Sequence, residues 1–343
     1  MEEITELLLV NPHPTTGKLR AASTVRNYVY NLNKIAKLVT GENISASNLS
    51  YLYDYENILS IITTTFKIGS QKNYLTAITT LLTVLINKYP ESSADDWRVL
   101  ALNQYNIKIG EIKDTLNKTS LLQEKTISQL TNWTTIKNLK SILSGYKKYL
   151  TTNNTFKKSY INLSPKEKKT LRYWLIGSLY IADPGNAPVR SNYAPMPIIS
   201  EFDYKALSEE ELKLNYLVIS PKNKKMFSFG NYKNVSTYGL KTNPVHKKLN
   251  SIINAYLKVL GTFKNADEPQ YLLYTQNNTM MTSIGLSTTI PKVFEPTGKN
   301  ITINSLRHIF ISENISGDFL TEKTAISEAM HHSVSTQEKY RLK

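Results

Sequence analysis

The chain of 343 residues carries 42 lysine and arginine residues against 27 aspartate and glutamate residues, a formal net charge of +15. This surplus favours a polyanionic partner, with nucleic acid as the leading candidate, and the length suits two domains better than a single core. The absence of cysteine excludes disulfides, zinc–thiolate sites and cysteine nucleophiles. No apolar run approaches the roughly 18 to 20 residues of a membrane span, and the acidic opening Met1–Glu3 is unlike a signal peptide, so an intracellular protein is expected.

The first half of the chain, residues 1–150, is predicted to be a helical domain. Apolar residues recur at three- and four-residue steps after Ser23, and the helix that they form should end before Gly41. A second clear helix is predicted over about residues 70–88, with Pro90 just beyond its end. Weaker periodicity predicts three further helices, near residues 53–66, 94–116 and 127–150.

The second half predicts helices together with a small antiparallel sheet. Residues 151–160 follow neither helical nor strand periodicity and are predicted to be a linker. Ser164-Pro165 then opens a helix that should end at Pro184-Gly185. Short apolar runs at 217–219 and 226–229 flank a turn and predict a hairpin, and helical spacing returns over 245–260 and 303–314. The expected fold class is therefore mainly α with a minor antiparallel β-sheet.

The lysines are concentrated in one stretch of the second half. Between Leu212 and Ala266 there are ten lysines and no acidic residue. A segment with charges of one sign suits contact with phosphates along a duplex, although a solvated surface is the simpler alternative. The candidate nucleic-acid-binding residues are Lys222, Lys224, Lys225, Lys241, Lys247 and Lys248. The chain lacks both GxGxxG and GxxxxGK[ST], so no nucleotide cofactor is expected.

Two motifs near the end of the chain carry the main functional signal. Residues 329–340 read AMHHSVSTQEKY, which places two histidines eight and nine residues before Tyr340. Upstream, residues 305–310 read SLRHIF around Arg307. In this order and spacing, the two motifs resemble the terminal signature and the second arginine box of tyrosine recombinases, also called phage integrases.

Two weaker matches extend the resemblance over about residues 161–340. Arg190 follows a long apolar helix, as the first arginine box of the family does. The sequence NYKNVSTYG follows the predicted hairpin, where the family keeps its catalytic lysine. Lys233 is therefore the candidate, with Lys225 and Lys241 as rivals in the same stretch. The sequence of this segment is most similar to that of viral, virophage-like integrases.

The resemblance implies a clamp around duplex DNA, with a core-binding domain over 1–150 and a catalytic domain over 161–343. Arg190 and Arg307 would neutralise the phosphate, Tyr340 would attack it, and Lys233 would protonate the leaving 5′ oxygen. The resulting 3′-phosphotyrosyl bond permits rejoining with neither a cofactor nor a metal. The family acts as homotetramers on paired DNA sites, and integration or excision of a viral or mobile element is the expected role.

The chain departs from the family pattern at two positions. Asn304 stands where the family has a histidine, and an amide can bind a phosphate oxygen but cannot shuttle a proton. The commoner nine-residue spacing favours His331 as the catalytic histidine. The His-Ser sequence favours His332 instead, and His332 is the preferred candidate. His308 is expected to be a packed histidine or a phosphate contact. No metal site is expected, because adjacent helical histidines point about 100° apart.

Two alternative functions remain open from the sequence. A type IB topoisomerase uses the same tyrosine, arginines and lysine, but it relaxes supercoils as a monomer. A non-catalytic basic protein would bind or bridge DNA without cutting it, and its activities would then not depend on Tyr340.

Overall fold

The chain divides into two units, Met1–Leu122 and Gln123–Lys343, and amphipathic helices build the first. The computed structural model describes residues 1–13, 16–90, 96–183, 185–261, 269–314, 320–331 and 333–342. The helices of the first unit are α1 (Glu2–Val10), α2 (Ala22–Thr40), α3 (Tyr55–Thr65), α4 (Ile68–Lys88) and α5 (Trp97–Leu121). The last four match predicted helices. The sequence does not predict α1, because its two buried residues, Ile4 and Leu8, are too few for a periodic signal.

The core of the first unit lies between the apolar faces of α2 and α4. Helix α2 buries Leu32 and Ile35 completely, and α4 does the same with Leu75 and Ile78. Each such side chain contributes about 1.5 to 3 kcal/mol when it leaves water. The predicted end of α2 is confirmed, since Gly41 adopts a left-handed φ of 78° and donates its N–H to the last turn.

The second unit is arranged around one buried helix, α8. Its elements are α6 (Ile127–Asn132), α7 (Ile136–Thr152), α8 (Pro165–Ile181), β1 (Ile198–Ser200), α9 (Glu201–Lys205), β2 (Asn215–Ile219), β3 (Lys225–Phe229), α10 (Val235–Tyr238), β4 (Lys241–Pro244), α11 (Lys247–Leu260), α12 (Ser283–Val293), α13 (Ile303–Asn314), α14 (Leu320–Ala329) and α15 (Val334–Glu338). Every residue of α8 from Leu171 to Ile181 is buried, as expected for a helix covered on all sides. None of the described helices combines the length and apolarity that crossing a membrane requires.

The four strands form one sheet in the order β1-β2-β3-β4. The predicted hairpin is confirmed as β2 and β3, which pair antiparallel with Leu217 opposite Phe227. Strand β4 pairs antiparallel with β3, whereas β1 pairs parallel with β2. The sheet is therefore mixed rather than wholly antiparallel. The parallel pair arises because the chain leaves β1 through α9 and returns to the start of β2 before it reverses.

The division between the units lies upstream of the linker predicted at residues 151–160. Helix α7 belongs to the second unit because its apolar residues Leu139, Leu143 and Leu150 join the same core as α8. The polar stretch after α7 is attached to this unit as well, through the buried carboxylate of Glu167. That carboxylate accepts hydrogen bonds from Thr155 Oγ1 at 3.0 Å and from Lys158 Nζ at 2.6 Å, among others. Polar residues that lack periodicity thus form ordered turns here.

Candidate active site

Arg190 and Arg307 are brought together by the segment that follows α8. Arg190 is exposed in this segment, and its carbonyl accepts the hydroxyl of Tyr180, a buried residue of α8, at 2.9 Å. Arg307 lies on α13 and is only 1% exposed. Its Nη1 donates to the carbonyl of Pro188 at 2.7 Å. Burial lowers the pKa of Arg307, but an arginine still keeps its charge in a protein.

Tyr340 contacts both arginines. Its hydroxyl lies 3.5 Å from Nη2 of Arg190, at the limit of a hydrogen bond. The guanidinium carbon of Arg307 lies 4.9 Å from the centre of the phenol ring, within the range of a cation–π contact. Two positive groups therefore meet at one phenol, where they would favour a bound phosphate.

His308 holds the backbone of Tyr340 from the residue next to Arg307. Its Nδ1 lies 2.9 Å from the carbonyl oxygen of Tyr340, and the two rings are 4.7 Å apart. Burial lowers the pKa of His308, so its neutral form, with Nδ1–H as donor, suits this contact. The sequence expectation of a packed histidine fits this geometry better than that of a phosphate contact.

His331 lies in the turn after α14, between the aromatic rings of Phe229 and Tyr232. Its ring is 4.8 Å from the first and 4.7 Å from the second. Burial, then the charges of Lys241 and Arg307, lower its pKa to about 4. The buried Nε2 has no hydrogen-bond partner in the described part of the chain. The preferred candidate from the sequence, His332, lies outside the described residues.

Two asparagines hold this turn in place, one in the connection between β3 and β4 and one in β4 itself. Asn234 donates its side-chain amide to the carbonyl of His331 at 3.3 Å, across 97 positions of sequence. Asn243 donates in the same way to the carbonyl of Ala329 at 3.2 Å. Sequence reasoning missed both residues, because bonds from a side chain to a distant backbone leave no spacing pattern to read.

The two lysine candidates flank the same connection. Lys233 is exposed in the turn after β3. Lys241, the first residue of β4, is partly buried, and its charge is among those that lower the pKa of His331. The charge of Lys241 therefore acts on the buried His331, although the sequence favoured Lys233 as the catalytic lysine.

The remaining lysine candidates separate into exposed and buried residues. Lys222 and Lys224 are exposed in the turn between β2 and β3, and Lys247 and Lys248 are exposed at the start of α11. Lys225 is only 3% exposed, and its ammonium donates to the side chains of three asparagines: Asn223, Asn250 and Asn254. Burial lowers its pKa. Since this cation is engaged inside the protein, we remove Lys225 from the candidate DNA-binding residues and from the rivals of Lys233.

Within the described part of the chain, Asn304 makes no contact with this cluster. It is exposed in the first turn of α13, whereas Arg307, one turn further along, is buried. Among the described residues, no group of three or more histidine, aspartate or glutamate side chains could hold a metal ion. The candidate site therefore combines two guanidiniums, a phenol, a buried imidazole and nearby lysines.

This arrangement sits in a fold that also occurs in solved structures. One is the Tn1549 transposon integrase, solved in complex with a circular intermediate DNA. The match covers 99% of this chain and 95% of the integrase chain, with a TM-score of 0.54 and 11% sequence identity. The chain has the tyrosine recombinase fold. The likeness is one of fold, because the identity is low, and no family model and no curated protein sequence matches the chain.

Two other structures with the tyrosine recombinase fold also match this chain. XerA recombinase matches 99% of this chain and 92% of its own, with a TM-score of 0.37 and 12% identity. XerH site-specific recombinase, solved bound to its difH substrate in a pre-cleavage complex, matches 93% of this chain and 77% of its own, with a TM-score of 0.49 and 14% identity.

Proposed function

We propose that the chain is a site-specific DNA recombinase that cleaves and rejoins DNA through a 3′-phosphotyrosyl intermediate. The observation that carries the proposal is the convergence of Arg190 and Arg307 on the phenol of Tyr340, from positions far apart in sequence. A lone phenol is a poor nucleophile at neutral pH, because its ordinary pKa is near 10. Two adjacent positive charges would stabilise the phosphate that it attacks.

In the proposed reaction, the hydroxyl oxygen of Tyr340 attacks the phosphorus atom of one strand. The bond between that oxygen and phosphorus forms, the bond to the 5′ oxygen breaks, and the phenol loses its proton while the leaving oxygen gains one. Arg190 and Arg307 hold the non-bridging oxygens, whose charge grows in the transition state. The new ester conserves the energy of the backbone bond, so a 5′ hydroxyl can reverse the step without a cofactor.

We assign the histidine role to His331 rather than to His332. Burial and the charges of Lys241 and Arg307, which lower the pKa of His331 to about 4, support this assignment. A neutral imidazole beside the phosphate can accept a proton or donate a hydrogen bond. For the same reason we propose Lys241, ahead of Lys233, as the general acid for the leaving oxygen. Such a group commonly contributes about 100- to 10,000-fold.

The DNA would be held by lysines that surround these groups. The exposed lysines 222, 224, 247 and 248 are proposed phosphate contacts, and together with the net charge they suit a polyanionic duplex. By the resemblance stated above, a homotetramer on two paired sites and a role in the integration or excision of a viral or mobile element complete the proposal. The first unit is proposed to bind the other face of the duplex.

A library experiment tests the proposed function without knowledge of the target. The protein is incubated with nicked duplexes whose arms are randomised, and covalent protein–DNA adducts are captured under denaturing conditions and sequenced. We expect one sequence to be enriched, with the protein joined to a 3′ phosphate. Tyr340→Phe should abolish the adduct, whereas Tyr30→Phe, a control at an exposed residue of α2, should leave it unchanged. An adduct that survives Tyr340→Phe would refute the proposal.

The recovered sequence then separates recombination from relaxation. Two labelled duplexes that carry it should exchange strands to give products of mixed label. If the protein only relaxes supercoiled plasmid and never exchanges strands, the type IB topoisomerase reading is correct. If the protein binds DNA but forms no adduct with any sequence, the non-catalytic reading is correct.

A further inference from the structure

A groove on the second unit lies outside the proposed active site. Helices α7 and α11 form its two walls. Trp174 and Ser178 of α8 and Ala182, the residue that follows α8, form its floor at four-residue steps on one face. The enclosed volume is about 820 Å³. Cavities of this size are within the range in which proteins bind ligands.

The groove has the dimensions of a helix. The wall residues of α7 run from Lys140 to Thr151 along one face, and those of α11 run from His246 to Ala255. At 1.5 Å per residue, these walls are about 16 Å and about 14 Å long, which corresponds to roughly three helical turns. A row of three apolar side chains at helical spacing would fit between them.

The rim of the groove is basic on both sides. Lys140 and Lys147 line the α7 wall, and Lys247 and Lys248 line the α11 wall. Asp183 is the one acidic residue in the described lining, and it is paired with His246 at 3.8 Å at one end of the groove. The rim therefore attracts an occupant with negative charges on both flanks.

One polar group in the floor points to an occupant. The hydroxyl of Ser178 belongs to a residue that is 1% exposed, and it has no hydrogen-bond partner among the residues that the structure describes. A buried hydroxyl without a partner costs roughly 1 to 3 kcal/mol. A polar side chain at the centre of a bound segment would satisfy this group.

We propose that this groove docks an acidic amphipathic α-helix from a partner protein. The apolar face of such a helix would lie on Trp174 and Leu143, and its glutamate or aspartate side chains would pair with the four lysines of the rim. This is the helix-in-groove mode of recognition, in which apolar side chains at helical spacing anchor the bound helix. A DNA backbone would contact the lysines but would leave the apolar floor uncovered. The proposal shares Lys247 and Lys248 with the proposed DNA contacts, so DNA and the helix would compete for these two lysines, but it does not depend on the proposed recombinase function.

A designed peptide tests the groove in the full-length protein. The probe is a fluorescent synthetic helix of about four turns, with leucines along one face and glutamates on both sides of them. A control peptide has the same composition with the leucines distributed around the helix. Binding is followed by fluorescence anisotropy against the wild-type protein and against Lys140→Glu/Lys147→Glu. The matched control is Lys137→Glu/Lys148→Glu, which changes exposed lysines of the same helix outside the groove.

We expect saturable binding that Lys140→Glu/Lys147→Glu weakens about tenfold or more and that the matched control changes by about twofold at most. Ala255→Trp, which fills the groove, should abolish binding, and adduct formation with DNA should persist in all three variants. Equal weakening by both charge reversals, or equal binding of the control peptide, would overturn the proposal. So would a loss of DNA affinity or of self-association in Lys140→Glu/Lys147→Glu without any binding of the peptide.

Discussion

The buried imidazole of His331 should make the second unit less stable in acid. Burial and the charges of Lys241 and Arg307 lower the pKa of His331 from 6.5 to about 4. A difference of about 2.5 pH units corresponds to about 3 kcal/mol, at 1.36 kcal/mol per unit. Between these pH values, the unfolded chain binds more protons than the folded chain. This contribution to stability is therefore complete above pH 6.5 and is lost as the pH falls towards 4.

Urea unfolding in a Trp97→Phe background measures this loss in the second unit alone, because the other two tryptophans, Trp133 and Trp174, lie there. Between pH 6.5 and pH 4, the free energy of unfolding should fall about 3 kcal/mol further in this protein than in its His331→Gln derivative. The comparison uses the change with pH, so a constant loss of packing in the variant does not affect it.

Proton NMR of the histidine rings provides a direct check of the same reasoning. The resonance that disappears in His331→Gln should titrate near pH 4. A midpoint near the ordinary value of 6.5, or the same pH dependence of stability in His331→Gln and its parent, would refute the reasoning. In that case the ring would be accessible to water.

Two further predictions concern the lysines and the buried carboxylate. The rate of DNA cleavage by Lys241→Ala should fall by about 100-fold or more. A duplex with sulfur in place of the leaving 5′ oxygen should restore this rate, because a thiolate leaves without a proton. If this duplex rescues Lys233→Ala instead, Lys233 is the general acid. Glu167→Gln should lower the free energy of unfolding of the second unit by roughly 1 to 3 kcal/mol in urea, since it removes a charge that Thr155, Lys158 and Ser164 bind. Unchanged stability would mean that these turns are held by other contacts.

The helices were the most predictable part of the fold. Periodic apolar residues and end signals such as Gly41 and Ser164-Pro165 act locally, so they can be read without a structure. Strand β1 could not be read, because Ile198–Ser200 is three residues long and forms only through pairing with β2. The two compact units divide upstream of the predicted linker for a related reason. The polarity of residues 151–160 suggested a linker, but the partner that orders them, Glu167, becomes apparent only once α8 is folded.

The candidate site was predictable only where the motifs have a fixed spacing. The motifs single out Arg307 and Tyr340, and the structure brings their side chains into contact. Burial of a particular lysine was not predictable, because Lys225 differs from its neighbours only in facing the asparagines of α11. The choice between adjacent histidines also depended on packing, since the ring of His331 is held by Phe229 and Tyr232.

The contact between His308 and the backbone of Tyr340 has a consequence for assemblies of several copies. The phenol, both arginines and this histidine belong to one polypeptide, and the phenol is held from the same helix that carries Arg307. Under the proposed function, we therefore expect each protomer to cut with its own nucleophile. In a mixture with Tyr340→Phe copies, each intact copy should still form its own adduct with DNA, so the yield of adducts should follow the fraction of intact copies.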